Sequence, residues 1–173
     1  ADDYQNTLRR LTARLRDGHA NVHKIAMNSN PSYFPPITWE WIENKLVITN
    51  VANPNLDLRP GDIVTEIDGR PAESFFNELY PAISAATPGW LHFRANTSSL
   101  LGTQNSSLTL KLLDSNGVEK QVPVERNLSD RDFHSLLQDS GAPIRQLTDG
   151  IHYVNLSTAS MSQINDQMSH LQK

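Results

Sequence analysis

Cysteine is absent from this chain of 173 residues, so disulfides, thiolate metal sites and cysteine nucleophiles are excluded. Long apolar runs are also missing, and none approaches the roughly 20 residues that span a bilayer. No charged segment followed by an apolar run opens the chain, so no secretory signal is expected, although a trimmed leader would leave the same kind of start. Without cysteine, the sequence does not indicate whether the protein works in a reducing or an oxidising compartment.

A surplus of positive charge is missing as well. Fifteen Lys and Arg residues against nineteen Asp and Glu residues give a formal net charge of −4, so there is no overall positive field to attract a nucleic acid. Apolar residues make up 38% of the chain and charged residues 20%. That is slightly lean, but it is enough for a packed core in a chain that buries roughly 70% of its unfolded surface. The composition predicts one ordinary domain or two small ones.

The amino-terminal segment predicts a helix that stops just before a histidine. Apolar residues recur there at helical spacing, at Tyr4, Leu8, Leu11 and Leu15. Gly18 is expected to be the left-handed residue that ends the helix, so His19 would follow a rigid helix end. On pattern alone, His19 is either a hydrogen-bonded loop histidine or a functional group. A metal site shared with His23 is disfavoured, because four residues along a strand separate two side chains by roughly 13 Å.

Alternating apolar residues predict a small β-rich domain in the middle of the chain. Strand-like runs at 39–42 and 46–51 are followed by LRPGDIVTEIDGRP at 58–71, which contains a strand and an Asp-Gly turn. An apolar stripe predicts a helix over roughly 73–86, ended by Pro88-Gly89. Alternating leucines from 108 to 112 and the run 118–124 predict a hairpin, in which Pro123 suits an edge strand.

The last segment predicts two capped helices and one strand. Ser129 with Asp132, and Ser160 with Gln163, are capping-box patterns. The run IHYVNL at 151–156 is strand-like. One strand and one helix cannot bury both of their apolar faces alone. This unit is therefore expected to pack on the rest of the chain or to belong to a larger core.

Three motifs, in this order, resemble the C-terminal processing and tricorn-core family of serine peptidases. LRDGHANV at 15–22 is similar to the family's helix-ending Asp-Gly-His segment, and the run at 58–71 with its helix and hairpin resembles a circularly permuted PDZ domain. DGIHYVNLS at 149–157 is similar to the first strand of the catalytic core. The resemblance implies an α+β chain with an N-terminal helical segment (1–27), a PDZ-like domain (28–127), and a linker with the incomplete start of an α/β catalytic core (128–173).

The function that the resemblance implies depends on His19. In the tricorn-like branch, the histidine at this position is the general base that activates a serine far downstream, whereas the other branch uses a lysine base. No strained Gly-x-Ser-x-Gly turn is present, so the nucleophile is expected beyond Lys173 and the chain alone is expected to be inactive. Turn or loop roles beside strands are expected for the serines of two polar stretches, Ser98, Ser99, Ser106 and Ser107.

The implied partner is a peptide or unfolded protein substrate, held by the PDZ-like domain for hydrolysis. No cofactor, nucleic acid or transmembrane segment is expected, and the oligomeric state stays open. PDZ domains capture a terminal carboxylate on a glycine-containing loop, but the matching stretch here, Phe34-Pro35-Pro36-Ile37-Thr38, has two prolines and no glycine. Peptide binding is therefore expected to be weak and insensitive to that carboxylate.

The alternative reading is a non-catalytic peptide-binding PDZ module or adaptor. The sequence beyond Lys173 in the parent chain would separate the two readings, because only a peptidase needs a serine in a glycine-flanked turn. The resemblance favours the bacterial periplasm or cell envelope, with the cytoplasm as the other location.

Overall fold

An antiparallel sheet carries the core of the chain. Its strands follow from alternating apolar residues, as at Leu108, Leu110 and Leu112, which are all buried. The strands are β1 (Ile37–Ile42), β2 (Lys45–Val51), β3 (Ile63–Ile67), β4 (Arg70–Pro71), β5 (Ser107–Leu113) and β6 (Glu119–Glu125). Their order across the sheet is β1-β2-β3-β5-β6, with β4 paired to β3.

The computed structural model describes residues 2–22, 32–137, 141–156 and 158–171. The chain divides into two compact units, 1–137 and 138–173. The expected α+β class, with an N-terminal helix, an antiparallel sheet and further helices, is confirmed. The boundaries expected at 27/28 and 127/128 stay predictions. Among the described residues, no helix is long and apolar enough to cross a membrane.

Tight turns with left-handed residues set the strand register. Glu43 and Asn44, between β1 and β2, have φ angles of 49° and 61°, and Asp68 and Gly69, between β3 and β4, have φ angles of 49° and 73°. Two successive positive φ angles give a turn whose twist matches that of the flanking strands. Pro123 lies in the edge strand β6, as the sequence predicts, so its missing N–H interrupts no inner ladder.

The described residues also form five helices. They are α1 (Asp2–Ala13), α2 (Ala72–Leu79), α3 (Pro88–Leu100), α4 (Asp130–Leu136) and α5 (Met161–Leu171), and a 3-10 turn at Tyr80–Ala82 extends α2. Phe76 of α2 is fully buried and meets the rings of Trp39 and Trp41 edge-on at 6.2 Å and 5.3 Å between centroids. These two tryptophans lie on one face of β1, where Trp39 is buried in the core and Trp41 is partly buried against it.

The helix predicted over 73–86 is wrong at its carboxyl end. Pro88-Gly89 opens α3 instead of ending a helix, because Thr87 accepts the Trp90 N–H (3.2 Å) as an N-cap and proline is tolerated in the first helical turn. Ser98 and Ser99 therefore lie within α3, not in polar stretches beside strands. The sequence did not predict this helix, because its later residues are polar and leave no apolar stripe.

The end of α1 also differs from the prediction. The helix stops at Ala13, and the left-handed residue after it is Arg16 (φ 51°), whereas Gly18 does not have a positive φ. The predicted apolar face is only partly covered: Leu8 is half-buried, but Tyr4 is 70% and Leu11 62% exposed. The helix contacts the 3-10 turn at Tyr80–Ala82.

The sheet unit comprises residues 32–137, with the large sheet and helices α2 to α4. Within it, two polar contacts hold α3 in place. The Trp39 indole Nε1 donates to the Asn96 carbonyl and to Ser99 Oγ, each at 3.1 Å. At the last residue of the helix, Arg126 Nε donates to the Leu100 carbonyl at 2.7 Å. Burial lowers the pKa of the Arg126 guanidinium from its ordinary value. These contacts fix the helix that forms one wall of the site described below.

The second unit is a hairpin followed by a helix. Strands β7 (Ile144–Thr148) and β8 (Ile151–Val154) pair antiparallel through a turn at Gly150, whose φ is 77°. The sequence predicted the second strand, although longer, and missed the first. The Ser160–Gln163 capping box is confirmed: Ser160 N donates to Gln163 Oε1 (2.9 Å) and Gln163 N donates to Ser160 Oγ (3.3 Å).

The capping pattern in the first unit is confirmed too. Asp132 N donates to Ser129 Oγ at 3.2 Å, and Ser129 is the N-cap of α4. The return contact differs from a full capping box, because Asp132 Oδ2 accepts from the Ser129 hydroxyl rather than from its backbone N–H.

Candidate functional site

His19 lies in a turn just beyond α1, and this turn is tied to the sheet unit through its backbone. Asp17 N donates to the hydroxyl of buried Ser84 at 3.2 Å. The turn closes where Ala20 N donates to the Asp17 carbonyl at 3.1 Å. The position of His19 is thus set by local hydrogen bonds rather than by the helix end that the sequence predicted.

Gly18 is required by a close approach. Its carbonyl accepts the Trp90 indole N–H at 3.3 Å. A Cβ at this position would lie 3.0 Å from Trp90 Nε1 and 3.1 Å from Trp90 Cδ1, tighter than ordinary packing allows. A larger residue would therefore force the Trp90 ring or the turn to shift by a few tenths of an ångström.

The His19 imidazole is open to solvent on one side and faces a carboxylate on the other. Its side chain is 98% exposed, and Nδ1 lies 3.2 Å from Asp17 Oδ1. The same oxygen accepts the His19 backbone N–H at 2.9 Å, and this hydrogen bond is the main cause of the lowered pKa of the Asp17 carboxyl. A carboxylate next to Nδ1 favours the tautomer with its proton there, which leaves the Nε2 lone pair able to accept a proton.

An open groove of about 420 Å³ runs beside this histidine. Among the side chains that line it are His19, Trp90, Phe93, Arg94, Thr97 and His134, and no acidic side chain of the described residues lines it. The Trp90 and Phe93 rings stack at 5.3 Å with an angle of 21° between their planes. One wall of the groove is thus an aromatic surface of α3.

Two other histidines are relevant to the site, and only one of them lies among the described residues. His134 lines the groove, and its Nδ1 lies 2.8 Å from the Asp130 carbonyl within α4. His23, considered above as a metal partner of His19, lies outside the described residues. Within the described part of the chain, no group of three His, Asp or Glu side chains could hold a metal ion.

The stretch expected to match a carboxylate-binding loop has few free donors. Pro35 and Pro36 carry no N–H. Phe34 N donates to the Leu128 carbonyl at 3.0 Å, and Ile37 N donates to the Pro35 carbonyl at 2.8 Å. The Phe34 ring also stacks on Phe133 at 4.1 Å. A peptide carboxylate would therefore find most of these amides absent or already engaged.

Comparison with known proteins gives a likeness in structure only. No family model and no curated protein matches the chain. Mature CPAF complexed with lactacystin matches over 80% of this chain at a TM-score of 0.58 and 18% identity, and a CPAF mutant matches over 70% at 0.57 and 22% identity. This chain shares its fold with part of CPAF. CPAF is a chlamydial serine protease.

The likeness covers only a minor part of those proteins. The chain spans 28% of the first CPAF structure and 23% of the second. The photosystem II D1 C-terminal processing protease matches at 12% identity over 83% of this chain and 35% of its own, with a TM-score of 0.39 that is too low to indicate a common fold.

The sequence pointed to His19 but missed its surroundings. Asp17 stands two residues before it in the motif, and that spacing is the signal that could have identified the carboxylate partner. The aromatic wall had no such signal, because α3 itself was not predicted.

Proposed function

We propose that this chain is the N-terminal and PDZ-like portion of a serine-type peptidase. In this proposal it positions a peptide or unfolded protein for hydrolysis, and the rest of the parent chain supplies the catalytic serine. The fold shared with part of CPAF, a serine protease, supports the assignment. The observation that carries it is the geometry of His19, whose Nδ1 faces Asp17 and whose Nε2 is open beside the groove.

Under this proposal His19 is the general base. A serine hydroxyl is a poor nucleophile until a neighbouring imidazole takes its proton. Nε2 would accept that proton as the serine oxygen bonds to the substrate carbonyl carbon, and would return it to the leaving amine when the carbon–nitrogen bond breaks. Asp17 would hold the ring and stabilise its charged form. The serine and the donors for the developing oxyanion would come from the parent chain.

A second function, that of a non-catalytic peptide-binding module or adaptor, is favoured by one observation. Strand β1 is at the edge of the sheet with α3 beside it, and a cavity of about 40 Å³ lies between them. Peptides bind PDZ domains by adding a strand at such an edge. In this function His19 would be a surface histidine with no catalytic role.

Covalent labelling of the complete parent chain with a fluorophosphonate separates the two functions, because this reagent reacts with activated serines. We expect labelling of a serine beyond Lys173 and a loss of at least about 100-fold in labelling rate for His19→Ala. The control is His92→Ala, an exposed histidine that stacks on Tyr80 and does not line the groove.

Each outcome of the labelling experiment supports one of the two functions or contradicts the role of His19. A parent chain that binds peptides but is not labelled at any serine would support the adaptor function. A His19→Ala parent that is labelled as fast as the wild type would show that His19 is not the base and would direct attention to a lysine. The chain of 173 residues by itself is expected to stay unlabelled.

A further inference from the structure

We propose that the aromatic wall beside His19, together with Arg94, is a substrate subsite for a peptide segment in which a large apolar side chain stands next to an acidic one. The subsite deepens the proposed function, since a peptide held there would lie against the proposed base. Binding at the subsite is a separate property from catalysis and can be measured without any cleavage.

The first part of the argument is the exposure of two aromatic rings on a firmly held helix. Trp90 is 43% and Phe93 50% exposed, and they lie three residues apart on one face of α3. The opposite face is anchored, with Ala95, Ser99 and Leu100 buried. Large rings on the surface of an otherwise well-packed helix are typical of a surface that binds a partner. They offer a flat apolar area to an incoming side chain.

The second part is that the wall is already in a fixed shape. The Trp90 indole N–H donates to the Gly18 carbonyl, which restrains the ring, and the Trp90 backbone N–H donates to Thr87 Oγ1, which fixes the start of α3. Phe93 stacks on this held ring. A surface whose rotamers are fixed before binding loses less conformational entropy when the ligand arrives. The wall is therefore suited to bind a side chain.

The third part is charge. Arg94 lines the same groove, where its Nη1 donates to the Ser84 carbonyl at 3.3 Å. Among the described residues, no carboxylate lies within ion-pair distance of Arg94. Within the described ranges, the groove lining also contains no acidic side chain, although the chain as a whole has a net charge of −4. A cation in such a groove complements a carboxylate on the ligand.

The test uses short peptides with blocked ends, so that terminal charges play no part. One peptide contains adjacent phenylalanine and glutamate between alanines. Two matched peptides replace the phenylalanine with alanine or the glutamate with glutamine. Binding to the 173-residue chain is measured by fluorescence anisotropy and by protection of tryptophan from acrylamide. Protection reports mainly on Trp90, because Trp39 is 2% exposed and Trp41 is half-buried.

We expect the phenylalanine–glutamate peptide to bind about tenfold more tightly than the peptide without the aromatic ring. Phe93→Ala should remove most of this preference, and because the side chain is half exposed it should leave the fold intact. Arg94→Gln should abolish the preference for glutamate over glutamine and leave the aromatic preference. Tyr4→Ala is the matched control, since Tyr4 is 70% exposed and is not among the described residues that line this groove.

Two results would overturn the proposal. Equal affinity for all three peptides would show that the wall does not select side chains. A concentration-dependent dimer that Phe93→Ala dissociates would show that the wall is covered by a second copy of the chain. Neither result bears on serine labelling, and loss of His19-dependent labelling would leave peptide selection unchanged. Failure of the subsite and failure of the proposed function are therefore distinguishable.

Discussion

The sheet unit and the segment that carries His19 are built in opposite ways. In the sheet unit, large side chains such as Trp39 and Phe76 are at most 2% exposed and pack ring against ring. In the segment, Leu11 is 62% exposed and the His19 side chain is 98% exposed. The ties that hold the His19 turn are hydrogen bonds to Ser84 and Trp90.

Under the proposed function, the difference separates the residues that stabilise the fold from those that serve the chemistry. Burial of apolar area supplies most of the folding free energy, so the sheet unit determines whether the chain folds. The His19 turn adds little buried area and is held on that scaffold by polar contacts. Substitutions in the two regions should therefore have different effects. Those in the core should change stability, and those at the turn should change function at nearly constant stability.

The largest expected effect is on the core. Phe76→Ala removes a fully buried ring and should cost about 4 kcal/mol in the free energy of unfolding, because a cavity is left among Trp39, Trp41 and the sheet. Phe93→Ala is the same chemical change on the surface and should cost about 0.5 kcal/mol. Urea denaturation of both variants measures the contrast. Equal losses would show that burial of the Phe76 ring is not what stabilises the sheet unit.

The next effect concerns a buried ion pair in the sheet unit. Asp62 is 3% exposed, lies 2.9 Å from Lys120 Nζ, and accepts the Arg59 N–H at 2.9 Å. Asp62→Ala should cost about 3 kcal/mol, since it breaks both contacts inside the fold. The control is Glu78→Gln, which breaks an exposed pair with Arg70 and should cost about 0.5 kcal/mol. A cost for Asp62→Ala as small as the control's would contradict this account.

The sequence predicted the elements that have local signals and missed those that depend on tertiary contacts. Strands whose leucines alternate, such as β5, and turns that need Gly or Asn were predicted, because their signals are local. Helix α3 was missed because Pro88-Gly89 is usually a stop signal and its later residues are polar. Tertiary hydrogen bonds hold α3 in place. Trp39 Nε1 donates to the Asn96 carbonyl, and Arg126 Nε donates to the Leu100 carbonyl at the end of the helix.

The candidate site was predicted only in part for the same reason. His19 stands in a short motif that can be read along the chain. The groove beside it is formed by α3 and α4, which are distant in sequence, so its aromatic wall could not be inferred from any local pattern. Gly18 was expected to have a left-handed backbone, and this prediction was wrong; instead, Gly18 is the residue that Trp90 approaches closely.

The smallest effect is expected at Asp17. The hydrogen bond from the His19 N–H lowers the pKa of this carboxyl below its usual value of about 3.9. A lowered pKa in the folded state stabilises the fold above the unfolded pKa, and this stabilisation is lost as the pH falls through the folded value. Asp17→Asn should therefore have a slightly lower melting temperature than wild type at neutral pH and the same one in strong acid. A difference that persists in acid would have another cause than the charge.

The central claim is that His19 serves chemistry and not the fold, and one variant tests it directly. In the complete parent chain, His19→Ala should lower kcat for an unstructured protein substrate by about 10⁴-fold or more, while its melting temperature stays within about 2 °C of wild type. The contradicting result is a well-folded His19→Ala parent that keeps its turnover, or one in which turnover falls only as much as the folded fraction does.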